Sequence, residues 1–205
     1  MSTANEASPP GSNVTSTPSK KRPLSWHMRW LLPVALIPLV VDVAHGLLSR
    51  PKDAKLTVTG RHVASAPLGL DLEVPEPWTF LPSQPGADLI LQHPDTGAVF
   101  LAAAGPAEPS DEPLDKTLEK IIEGRREKWG TLRDIEKNDA IIAGLKGRSA
   151  TFSLTGPNGP SRVRISMVQT KPYGLIVNCS GVEASFETAR QSCDELLTKL
   201  KVQAP

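Results

Sequence analysis

The chain is expected to fold as an α+β domain, an antiparallel sheet packed with two main helices, preceded by one transmembrane helix. Three patterns lead there. An apolar run occupies residues 30–48. Beyond residue 68, several stretches alternate apolar and polar residues, the period of a half-buried strand. Two longer stretches, near 114–129 and 186–200, repeat apolar residues at helical spacing.

The elements follow in chain order. Residues 1–29, rich in Ser, Thr, Pro and Asn, read as a disordered tail carrying the basic cluster Lys20, Lys21, Arg22 and Arg29 against a single acid, Glu6. The run Trp30–Leu48 follows, and a bilayer core takes about 20 apolar residues to cross. Pro33 and Pro38 are tolerated in such helices. Asp42 is the obstacle, since an acid near mid-helix costs about 2.5–3.5 kcal/mol. It lies towards the C-terminal end, and the Leu, Ile and Val residues around it offset that cost. Trp26 and Trp30 suit the interfacial belt, and the basic cluster suits a flank facing anionic lipid. The competing reading is an export signal cleaved after Gly46, where Ala44 and Gly46 have suitable small-residue spacing. The leader before the apolar core is long for that.

Asp42 and His45 share a face of the span at a spacing of three. Ionisable groups at membrane depth are functional candidates, here with the alternative that both reach the outer interface and water. Lipid is thus one expected partner, through residues 30–48.

Residues 49–67 read as a linker, with a short strand in "KLTVTGRHV", and the folded domain is placed at 68–202. "GLDLEVPEPWTFL" alternates Leu70, Leu72 and Val74, then stops at Pro75 and Pro77. "ADLILQHPDTGAVFLAAAG" reads as two strands joined at the turn-rich residues 93–97. Leu114, Leu118, Ile121, Ile122 and Trp129 share one helix face. Ser110, Asp111 and Glu112 supply cap and negative charge at its start, Arg125, Arg126 and Lys128 positive charge near its end, and Gly130 the stop.

Short strands are expected in "LRDIEK" and "AIIAG", then longer ones. Ala150, Phe152 and Leu154 share a face, as do Val163, Ile165 and Met167. Asn158-Gly159 between them is a hairpin signal. "YGLIVNCSG" sets Tyr173, Leu175, Val177 and Cys179 on one side. The closing helix carries the stripe Phe186, Ala189, Cys193, Leu196, Leu197 and Leu200, capped by Ser185.

Cys179 and Cys193 both point into the seam where the last strand meets the last helix. A disulfide is expected there, the alternative being two buried free thiols. Upstream and downstream basic residues balance, so charge does not orient the span. The cysteine pair does. It places the N-terminus in the cytoplasm and the domain outside it, in the periplasm if the cell is bacterial.

Residues 51–205 hold 18 basic and 20 acidic groups of mixed sign. That balance lacks the basic footprint of a nucleic-acid binder, and nucleic acid is set aside as a partner. His93 and Asp95 lie close, but no further ligands converge at metal-site spacing. Neither a G-x-S-x-G elbow nor a phosphate-binding glycine loop occurs. No cofactor and no catalytic set are expected; an enzyme built on His93 and Asp95 is the contrary reading. Arg162 and Arg164 project opposite Val163 and Ile165, a candidate contact for an acidic partner or else a solvated face. Asn13-Val14-Thr15 and Asn178-Cys179-Ser180 match the glycosylation triplet by chance, the second inside a strand.

The element order, opened by "LEVPEPWTF" with Pro75 and Trp78, resembles the PsbP/Mog1-like superfamily and its bacterial DcrB-type relatives. "IAGLKGRSA" after the first helix and the strand and helix of residues 172–201 carry the rest of the likeness, over about 68–202. The resemblance implies an α/β/α sandwich and a non-enzymatic accessory or binding role. A membrane-anchored accessory module with a protein partner is the function expected, with a binder or chaperone of hydrophobic segments as the alternative.

Overall fold

A computed structural model describes residues 56–66, 69–84, 86–106, 113–156, 159–170 and 173–202. The tail 1–29, the span 30–48 with Asp42 and His45, and the cap residues Ser110–Glu112 lie outside the described residues. Asn13 and Asn158 do so too.

The chain forms β1 (Thr57–Thr59), β2 (His62–Ser65), β3 (Leu70–Glu73), β4 (Thr79–Phe80), β5 (Leu89–Gln92) and β6 (Val99–Pro106). Helix α1 (Leu114–Trp129) follows, then β7 (Arg133–Ile142), β8 (Leu145–Gly156), β9 (Gly159–Thr170) and β10 (Tyr173–Val182). A 3₁₀ turn at Glu183–Ser185 leads into α2 (Phe186–Lys199), and β11 (Leu200–Val202) closes the described chain.

These strands make two antiparallel sheets rather than one. The larger runs β4-β5-β6-β10-β9-β8-β7, and the smaller β1-β2-β3-β11. The hairpin Thr57–Ser65 falls in the stretch read as linker, yet Val63 is fully buried and β2 pairs with β3. The folded unit therefore reaches back to Leu56. "LRDIEK" and "AIIAG" belong to a single strand, β7, with a register shift between Arg133 and Glu136. The next turn places Ala143 (φ 51°) and Gly144 (φ 80°) both in the left-handed region, as a two-residue hairpin of the primed type needs.

Alternation along the central strands makes two apolar faces. On one, Ile90, Leu101, Phe152, Val163 and Ile165 pack with Leu118, Ile121 and Ile122 of α1. On the other, Phe100, Leu175, Val177 and Cys179 pack with Ala189, Cys193 and Leu196 of α2 and with Val63, Leu70 and Leu72 of the smaller sheet. The order of layers is thus α1, large sheet, then α2 beside the small sheet. Burying a side chain the size of Phe100 or Phe152 contributes about 1.5–3 kcal/mol, so each face anchors its own helix.

Helix α1 begins after Pro113 and ends at Gly130, whose φ of 74° supplies the left-handed stop. Ser185 does sit at the N-cap of α2, but its side chain makes no capping hydrogen bond. Leu200, placed by periodicity on the helix, belongs instead to β11, where it pairs with Leu72.

Candidate functional site

The seam between β10 and α2 is built on a close approach. Gly181 lies so near the helix that an added Cβ would stand 2.8 Å from the Ala189 Cβ. No other residue type gives α2 the same seat. One helical turn further, Cys193 meets Cys179 in a disulfide with a Cα–Cα distance of 6.1 Å, both residues buried. The expected bridge is present.

Arg162 and Arg164 leave no open cationic face. They lie on the side of β9 that α2 covers, since Arg164 sits opposite Cys179 in the register. Arg164 donates to Asp194 of α2, and Arg162 donates to Glu136 of β7 at 2.8 Å with its guanidinium 5.9 Å from the Phe186 ring centroid. Arg190 adds a second cation to Asp194 at 3.0 Å. Hydrogen bonding to Glu187 first, and the nearby Asp194 charge with it, raise the Arg190 pKa. The reading of the pair as an exposed partner contact is corrected: both charges are met within the chain, and they tie α2 to the sheet.

His93 and Asp95 form a turn. The Thr96 N–H donates to His93 Nδ1 at 3.4 Å, the His93 N–H to the Ala98 carbonyl at 2.9 Å, and the His93 ring meets Trp78 edge-on at 5.2 Å. Asp95 is exposed. His62 pairs with Asp71 on the surface at 3.2 Å. Among the described residues, no three His, Cys, Asp or Glu side chains cluster as metal ligands.

Three residues matter here that alternation alone did not single out. Arg61 donates to the carbonyls of Val74, Pro75 and Trp78 at 2.8, 2.5 and 3.0 Å, fastening the first hairpin to the turn after β3. Arg125 sits on the buried stripe of α1, 3% exposed, and burial lowers its pKa to about 10, below the ordinary arginine range. Its place three and four residues beyond Ile122 and Ile121 was the available signal. Asn178 is buried on the α1 face, its amide oxygen and nitrogen both without hydrogen-bond partners among the described residues. Burial at 3% exposure closes the Asn178 triplet to glycosylation in the folded chain.

One concavity opens where the two sheets diverge. It has a volume of about 600 Å³ and is lined by Ile141, Ala143 and Gly144, by Asp194, Leu197 and Thr198 of α2, and by Leu200–Val202 of β11. Ile141 on its wall is 74% exposed, and β11 is an outer strand of the small sheet.

No known family profile matches the sequence, and no curated protein is similar to it. Solved structures are. The solution structure of cyanobacterial PsbP (CyanoP) from Synechocystis superposes with a TM-score of 0.55 at 13% identity, covering 73% of this chain and 94% of that one. LpqN of Mycobacterium tuberculosis, described as involved in cell envelope biogenesis, gives 0.49 at 15% identity over 66% and 83%. A Pseudomonas aeruginosa protein of unknown function gives 0.46 at 16% over 74% and 99%. The class is therefore a sheet-dominated α+β domain with two helices and a PsbP-like fold. Fold alone carries no activity.

Proposed function

We propose that the chain is a membrane-anchored, non-catalytic extracytoplasmic module that serves as an accessory or binding subunit of a membrane-associated complex. The observation that carries this reading is the buried Cys179–Cys193 disulfide. Such bridges form and persist in oxidising compartments. The apolar run 30–48 beside the basic cluster supplies the anchor and leaves residues 1–29 in the cytoplasm. Among the described residues, no helix is long and apolar enough to cross a membrane. The relation to DcrB-type domains belongs to the same proposal, resting on "LEVPEPWTF" and on the element order.

A binder or chaperone of hydrophobic segments is the second reading. Both faces of the large sheet are covered, so the concavity beside β11 is the surface that favours it. Cleavage after Gly46 would release the same domain in soluble form, and the mass of the mature chain separates that case.

Affinity capture of the full chain from gently solubilised membranes tests the leading reading. A reproducible, stoichiometric membrane-protein partner is expected. Recovery of the chain alone, with the purified protein turning over a substrate, overturns it.

A further inference from the structure

We propose that the concavity beside β11 is a docking groove for one extended strand of a protein partner, with apolar side chains at alternate positions and an acidic residue opposite Lys201. This deepens the accessory reading and rests on it for the existence of a partner.

Three observations converge on that occupant. First, β11 pairs only with β3 among the described strands, so its other edge offers backbone groups to an added strand. Strand addition at such an edge draws affinity from main-chain hydrogen bonds and selectivity from alternate side-chain contacts. Second, the walls are apolar in the right places. Ile141 and Ala143 stand on one side, Leu197, Leu200 and Val202 on the other. A solvent-exposed Ile at 74% beside an unpaired edge is what sheet proteins usually avoid.

Third, the charges select the partner's sign. Asp194 is the acid lining the groove, and it is already held by Arg164 and Arg190. Lys201 forms no ion pair among the described residues, and its cross-strand neighbour Asp71 is engaged by His62. The lining therefore mixes apolar and polar surface in about equal parts, with the positive charge of Lys201 unmet among the described residues. A helix would not satisfy the β11 edge, and a basic strand would meet Lys201 unfavourably.

The test uses the full chain, isotope-labelled in detergent micelles, with two synthetic octapeptides as probes, one alternating valine with glutamate and the other valine with lysine. Saturable amide shifts are expected at residues 141–144 and 197–202 with the glutamate peptide. The lysine peptide should bind about fivefold more weakly, the scale of one exposed charge contact. Lys201→Glu should reverse the preference, and Ile141→Asp should weaken binding by about fivefold or more while leaving distant amides in place. Absence of saturable shifts, or equal binding of both peptides by all three proteins, overturns the proposal. A partner captured from membranes and retained equally by both variants also overturns the groove, yet leaves the accessory reading standing. Peptide binding as described with no membrane partner does the reverse.

Discussion

Burying a guanidinium costs free energy, and Arg125 sits where that cost is felt. Its folded pKa of about 10 lies below the ordinary arginine range, with desolvation as the cause. Below pH 10 both folded and unfolded chains carry the charge, so the penalty is fully present. It fades as pH rises above about 10, where the folded chain loses its proton before the unfolded one does. Stability relative to an Arg125→Met variant is therefore expected to rise as pH passes about 10, measured by urea unfolding of both proteins. A stability difference between the two proteins that stays constant with pH would contradict it. The sequence reading left Arg125 off the apolar stripe and took its charge to complement the helix end, although its spacing from Ile121 and Ile122 falls on that stripe. Arg162 and Arg164 teach the same lesson from the other side. Alternation put both on one face of β9, but that face is covered by α2, and only the tertiary seat of the helix decides it.

At the scale of elements, the sequence reading was strongest where one face of a strand or helix is buried. β8, β9, β10 and both helices carry clear periodicity and form as expected. β7 is an outer strand, exposed along most of its length, so Lys137-Asn138-Asp139 broke the pattern without breaking the strand. β11 was hidden for the opposite reason. Leu200 lies seven residues beyond Cys193 and so continues the helical stripe, although it is buried from a strand. The Cys179–Cys193 pair was legible because strand and helix phases both aim inward. Replacing both cysteines by alanine is expected to cost about 3 kcal/mol, since the bridge closes a short loop in the unfolded chain. Denaturant unfolding under non-reducing conditions measures it. An unchanged midpoint would mean that Gly181–Ala189 packing alone holds the helix in place.

At the scale of the molecule, a large sheet carries α1 on one side and α2 with the small sheet on the other, and the disulfide lies in the second core. The groove was not legible in the sequence. Its lining comes from residues 141–144, 194–198 and 200–202, and the last of these segments was assigned to the wrong element. The small sheet was missed because β1 and β11 are three residues each, too short for alternation to register. The central claim is that the segment before Arg50 delivers this domain into an oxidising space. Protease digestion and thiol alkylation of intact cells, with intact mass under non-reducing conditions, tests it most directly. The account predicts that residues 50–205 are accessible from outside, and that neither Cys179 nor Cys193 takes up alkylating reagent until reductant is added. A protected domain with both thiols alkylated in the cytosol would contradict it.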